Sequence, residues 1–189
     1  MTKDEFAQRF QMQTLPASVH KFHYPHKLKS AAVLIPIVSN QGQLEVLLTK
    51  RASHLRHHPG QISFPGGKAE PSDQNLIVTA LRETEEEIGL KAENIQVLGR
   101  LKSYQTISGY DITPIVAFAN KNTNYQLDDN EVAEVFHVPL SHFLKRKHHI
   151  EVPMYHQGKR HNVRFMPYQD YNIWGATAAI LHDLSVLLN

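Results

Sequence analysis

No cysteine occurs among the 189 residues. That removes disulfides, thiolate metal sites and a thiol nucleophile together, so any chemistry must come from oxygen and nitrogen groups. No apolar run approaches the roughly 20 residues that span a bilayer. The opening MTKDEFAQRF lacks the apolar stretch of a signal peptide, and the final LLN is not a peroxisomal address. A cytoplasmic, bacterial setting with no membrane partner is expected. The formal net charge is only +2, which gives no bulk electrostatic reason to bind nucleic acid. The length suits one well-buried core and would cramp a second.

What charge there is lies unevenly. Lys50 to Lys68 holds Lys50, Arg51, Arg56, Lys68 and three histidines without one acid, and the stretch from Glu70 to Glu87 is strongly acidic. The pattern suits a polyanion held by cations on one side and by metal ions on the other.

Along the chain, residues 2–13 have the spacing of a short amphipathic helix, with Phe6 and Phe10 one turn apart. SAAVLIPIVSNQGQLEVLLTKR predicts two strands joined at Asn40 to Gly42. A helix is expected from Asn75 to Ile88, stopped by Gly89. Further strands are expected in IQVLGRLKS, DITPIVAFAN and VAEVFHVPL, a short helix in SHFLKR, a hairpin around Gly158, and a closing helix in NIWGATAAILHDLSVLL. No internal repeat or low-complexity linker interrupts them. Strands interleaved with two substantial helices indicate a mixed α/β layered domain.

At about 100° per residue, Glu83, Glu86 and Glu87 share one arc of the Asn75 to Ile88 helix, and Glu85 points elsewhere. Ile77, Ala80, Leu81, Thr84 and Ile88 form the expected core stripe beside that arc. Like charges at this spacing repel, the more so when partly buried. A hard divalent cation removes the repulsion, and Mg²⁺ is commonly held by one or two carboxylates completed by substrate phosphates. An acidic run alone more commonly marks a solvated face. Two features favour the metal reading: Arg82, able to hold a neighbouring glutamate by a bidentate bond, and the preceding FPGGK, whose glycines let backbone N–H groups face an anion.

ALRETEEEIGL resembles the signature of the Nudix hydrolases at Arg82, Glu83, Glu86, Glu87, Gly89 and Leu90, with Gly66 and Gly67 upstream. Thr84 stands where an aliphatic residue is usual. One extra residue separates Gly67 from Arg82, so Glu70 and Asp73 compete for the role of the family's earlier glutamate. LLTKRASHLRHHPGQISFPGG is similar to the additional signature of the coenzyme A diphosphatase branch, at Leu47, Leu48, Thr49, Arg51, Ala52, Arg56, Gly60, Phe64, Pro65, Gly66 and Gly67. SGYDITPIVA and NEVAEVFHVPL also resemble that branch.

The resemblance implies a Nudix-type α/β/α sandwich with a mixed sheet, an N-terminal helical extension and a C-terminal helix. Its parts would be residues 1–28 as extension, 29–160 as Nudix hydrolase domain, and 161–189 as a strand and closing helix of the same domain. It implies Mg²⁺ or Mn²⁺ on Glu83, Glu86 and Glu87, with Arg82, Glu83 and Glu86 catalytic, and hydrolysis of the diphosphate of coenzyme A or a derivative to adenosine 3′,5′-bisphosphate and 4′-phosphopantetheine. Arg51, Arg56, Gly66, Gly67 and Lys68 would bind substrate, with Lys50 as a further point charge. Glu83, Glu131 and Glu134 are candidates for the base, and Glu70 for an extra ligand. Other nucleoside diphosphate derivatives, such as ADP-ribose, a dinucleotide or a damaged nucleotide, are the alternative substrates, and a non-catalytic nucleotide-binding domain is the alternative role. Residues 1–28 and the last helix could supply an interface between two copies.

Trp174, Tyr104 and Tyr110 read as core or rim aromatics, Tyr110 having the better claim to an adenine because it lies in SGYDITP. Among thirteen histidines, the adjacent pairs His57–His58 and His148–His149 rarely converge on one ion, and no H-E-x-x-H occurs.

Overall fold

The computed structural model describes residues 1–12, 27–121, 124–156 and 159–189, with the side chains of 156, 159 and 160 outside that description. The Gly158 turn and most of the link from the first helix to the first long strand therefore lie outside the described residues.

Two long strands, β1 (Lys29–Asn40) and β2 (Gln43–Arg51), form the predicted hairpin. Gln41 and Gly42 between them both have positive φ, 48° and 81°, the two left-handed residues a tight primed turn demands. β1 is almost continuously apolar because both its faces are covered. Ala32 and Leu34 pack toward one helix layer, and Ile35 and Ile37 toward the other. Pro36 lacks an N–H, yet it costs no ladder bond. It falls between the partner of Ala31 to Val33, β4 (Gly66–Lys68), and the β2 pairing that begins at Ile37, a gap that tolerates a missing donor.

Around β1 and β2 the sheet is completed by β3 (Ile62–Ser63), β5 (Ile95–Arg100), β6 (Tyr104–Gln105), β7 (Tyr110–Ala119) and β8 (Val132–Pro139). The principal order is β3-β2-β1-β7-β5, with β4 on β1, β6 on β7 and β8 on β2. Among the described residues only the β1–β7 pair is parallel, so the sheet is mixed. Helix α2 (Leu76–Ile88) covers one face. On the other lie α1 (Lys3–Met12), α3 (Leu140–Leu144) and α4 (Gly175–Leu188). A separate hairpin, β9 (Ile150–His156) with β10 (Lys159–Phe165), leads into α4. This is the expected α/β layering with helices at both ends of the chain.

The end signals of α2 act as read. Asn75 accepts from the N–H groups of Ile77 and Val78 at 2.9 and 3.1 Å. Gly89 is left-handed, φ 69°, and its N–H reaches Glu85 O. The core stripe needs one correction. Ile77 is exposed, and Thr79 is buried in its place. The first turn of α2 overhangs the outer strands, where a bulge between Val97 and Gly99 interrupts β5, so Ile77 only lines a shallow cleft above Gly99 and Thr113. Thr84 satisfies its buried hydroxyl by donating to Ala80 O at 2.6 Å, which is how a polar residue occupies an aliphatic position.

Candidate active site

The loop from β3 to β4 lies against one edge of α2. Gly66 pairs with Val33 and donates its N–H to the Glu87 carboxylate at 3.2 Å. Gly67 lies directly under Glu83: a Cβ there would sit 2.3 Å from its Oε2. The missing Cβ at Gly67 is what lets Glu83 occupy this place, a matter of close approach and not of backbone angle.

Arg82 binds this edge together with all five N–H donors of its guanidinium. Nε and Nη2 form the two-pronged bond, at 3.1 and 3.0 Å, to Asp73. Nη1 reaches Glu83 at 3.0 Å and Glu86 at 2.9 Å, and Nη2 also reaches Lys68 O at 3.3 Å. The bidentate partner is thus Asp73, not a neighbouring glutamate. The preference follows from geometry, since a carboxylate opposite the fork can take two parallel bonds and one on the same helix cannot. Asp73 also accepts from Thr79 Oγ1 and the Glu70 N–H, both at 2.9 Å. These donors, Arg82 first, hold its carboxyl well below the usual range. Glu70, the other contender, is exposed, and among the described residues its carboxylate accepts only from Ser72.

The three glutamates differ in depth. Glu86 is exposed, Glu83 is half-buried and Glu87 is buried. Burial raises the Glu83 carboxyl against the opposing pull of Arg82. It pushes Glu87 to about 8, with Glu131 and Glu83 adding to the effect and the Gly66 N–H and Arg51 opposing it. A buried carboxyl in that state suits a site that supplies positive charge from elsewhere. Hard oxygen donors of this kind fit Mg²⁺ or Mn²⁺. Among the described residues no three His, Asp or Glu side chains are already drawn into a metal cage; Glu83 and Glu86 face Arg82 instead.

The remaining candidates separate by face. Arg51 acts on Glu87, and Glu131, exposed, acts on both Glu83 and Glu87. Glu131 is set there by its carbonyl, which accepts from Ala52 N–H at 2.9 Å. Glu134 takes the hydroxyl of Tyr171 on the opposite face, where Phe136 belongs to the core under α4. Arg56 stands exposed in the loop after β2, and Lys68 is exposed at the end of β4. Lys50 turns away from its neighbour Arg51 to line a cavity with Tyr171 and Trp174. That cavity had no periodic signal in the sequence, because its wall comes from the irregular segment before α4.

The NUDIX domain family model matches residues 28–176, which takes in the whole glutamate edge and its glycine loop. The chain belongs to the Nudix family. A Nudix hydrolase NudL of Yersinia pestis (strain Pestoides F) is 42% identical over 184 residues, covering 96% of this chain and 92% of that one. Among solved structures, the Nudix hydrolase RenU from M. smegmatis is 26% identical with TM-score 0.51, covering 61% of this chain and 73% of that one. A MutT/nudix family protein from Enterococcus faecalis is 18% identical with TM-score 0.51, covering 100% and 73%, a likeness of fold alone. This Nudix protein is accordingly a hydrolase of a phosphoric anhydride in a nucleoside diphosphate derivative, and Nudix hydrolases in general use divalent ions such as Mg²⁺ or Mn²⁺. Among the described residues no helix is long and apolar enough to cross a membrane.

Proposed function

We propose that this Nudix hydrolase cleaves the diphosphate of coenzyme A or one of its derivatives, releasing adenosine 3′,5′-bisphosphate and 4′-phosphopantetheine or its acyl form. One observation carries the reading. The segment Leu47 to Gly67, whose residues follow the coenzyme A branch signature, runs from Arg51 beside Glu87 to the Gly66 and Gly67 contacts on Glu87 and Glu83. The part of the chain that resembles a substrate signature is therefore the part that touches the carboxylate edge.

Glu83, Glu86 and Glu87 would hold the divalent ion. Such an ion, when bound, neutralises charge on diphosphate oxygens and lowers the pKa of water. Arg82, anchored by Asp73, fixes the rotamers of Glu83 and Glu86 before substrate arrives, a form of preorganisation. Arg51 and Arg56 can form forked bonds to phosphate oxygens, and Lys68 adds a point charge at the loop end. The proton of the attacking water passes to a carboxylate on the same edge, Glu83 or Glu131; Glu134 lies on the wrong face of the sheet for this role.

Mass spectrometry of products from coenzyme A, with and without Mg²⁺ or Mn²⁺, tests the reading. The two expected products should form only with the ion. Dephospho-coenzyme A, which lacks the 3′-phosphate, should show a lower kcat/KM, and an unchanged value would remove the case for coenzyme A in favour of another nucleoside diphosphate derivative. Glu83→Gln should lower kcat by roughly 100-fold or more at saturating ion. Wild-type turnover in that variant would overturn the catalytic assignment.

A further inference from the structure

Beneath the loop that carries Arg56 lies a cavity of about 430 Å³ on the sheet face away from α2, within the size range of small-molecule sites. Its walls include Lys50, Gln61, Asp170, Tyr171, Asn172 and Trp174. The two aromatic rings are fixed before any ligand arrives. Tyr171 stacks on Phe136 with ring centroids 3.7 Å apart and 5° between planes, and its hydroxyl donates to Glu134. Its backbone is tied by paired bonds with Tyr168, at 2.9 and 3.0 Å. Trp174 stacks on Phe165 at 6.1 Å and 14°, and the two residues also form a β-bridge. Rings held in this way offer flat surface without a further loss of rotamer freedom.

The polar groups are arranged around them. Lys50 makes no ion pair among the described residues, so it is a cation still open to an anion. Asp170 and Asn172 provide acceptors and a donor at the rim for the edge of a heterocycle. The end of β2 links the cavity to the carboxylate edge. Gln61 accepts the Arg51 N–H at 3.0 Å. Lys50 and Arg51 are consecutive residues at the end of β2, one lining the cavity and the other acting on Glu87.

We infer that this cavity is the nucleoside subsite, with Tyr171 and Trp174 as the aromatic wall for a purine base and Lys50 meeting a phosphate on its ribose. The inference rests on the proposed nucleotide substrate and places its two halves. The base lies on the α4 face, and the diphosphate passes the end of β2 to reach Glu83 and Glu87. Tyr110, the aromatic with the better claim from sequence, has the ammonium of Lys29 over its ring at 5.7 Å and does not line the cavity.

Trp174 is the only tryptophan in the chain, so its emission reads the subsite directly. The full-length protein without divalent ion is titrated with adenosine 3′,5′-bisphosphate, with AMP and with 4′-phosphopantetheine. A saturable change is expected with the bisphosphate, a weaker-binding one with AMP, and none with 4′-phosphopantetheine. Tyr171→Leu should weaken the bisphosphate by roughly tenfold and raise KM more than it lowers kcat. Lys50→Met should reduce the preference for the bisphosphate over AMP. If Tyr171→Leu does not fold, the wild-type titration and Lys50→Met decide the matter. A silent Trp174 in a protein that hydrolyses coenzyme A overturns the subsite and leaves the proposed reaction standing. So does a response to 4′-phosphopantetheine alone, which would assign the cavity to the other half of the substrate. A Trp174 response to AMP in a protein inert toward coenzyme A supports the subsite and sinks the coenzyme A reading.

Discussion

Glu87 sits where a carboxylate is least comfortable without a cation: buried, beside Glu83 and Glu131, with one N–H from Gly66 for support. Glu87→Gln should therefore stabilise the metal-free protein above pH 8, raising its thermal midpoint by about 2 to 4 °C, as it removes activity. Scanning fluorimetry and a turnover assay on one preparation would show the opposed effects, and a midpoint that falls would contradict the burial argument. Gly67 makes a complementary test. The atoms an added methyl would meet belong to the end of the Glu83 side chain, which can swing aside. Gly67→Ala should consequently fold almost normally and yet lose roughly 100-fold in kcat/KM, because Glu83 leaves its place under Arg82. Equal activity in that variant would mean that Glu83 works from another position. Asp73, which competed with Glu70 in the sequence, takes the Arg82 fork because its carboxylate lies opposite the guanidinium, and no spacing rule could express that orientation.

At the scale of elements, the end of α3, the turn after it and α4 meet through imidazoles. His149 Nε2 lies 2.6 Å from Phe143 O, so it must carry the proton and donate. Its Nδ1 is then an acceptor, and His182 Nδ1, at 2.9 Å, must be the donor. His149 is neutral in this arrangement, and a proton on its Nδ1 would set two donors face to face. Burial lowers His149, and burial followed by Arg164 and His149 lowers His182 to about 4. The unfolded imidazoles protonate near 6.5. Below that pH the unfolded chain binds more protons than the folded one, so stability is full above 6.5 and declines as pH falls toward 4. For His182 the loss should be roughly 1 kcal/mol once solvent screening is discounted. His182→Asn should shrink the drop in thermal midpoint between pH 7 and pH 4 by about 2 to 4 °C. An unchanged drop would show that these rings do not couple to folding.

For the whole molecule, α1 belongs to the main core. Phe6 is fully buried, its ring 5.5 Å from that of Phe118, and Arg9 donates to the Leu188 carbonyl at the end of α4. Phe6→Ala should cost about 3 kcal/mol and lower the thermal midpoint by roughly 10 °C. Activity at 25 °C should persist, since no residue of α1 reaches the glutamate edge. A small shift in midpoint would mean that α1 packs more loosely than its burial implies.

The sequence by itself determined the elements whose signals are local. The Gln41–Gly42 turn, the Asn75 and Gly89 ends of α2, the paired phenylalanines of α1 and the shared arc of Glu83, Glu86 and Glu87 all follow from backbone preference and helical angle, which depend on near neighbours. Tertiary structure alone decided what depends on chains meeting across space. It placed Asp73 in the Arg82 fork, put Glu131 and Glu134 on opposite faces of the sheet, left Ile77 over an interrupted strand and gathered Lys50, Tyr171 and Trp174 around one cavity. Periodicity says which way a side chain leaves its own element and nothing of what another element has brought to that spot.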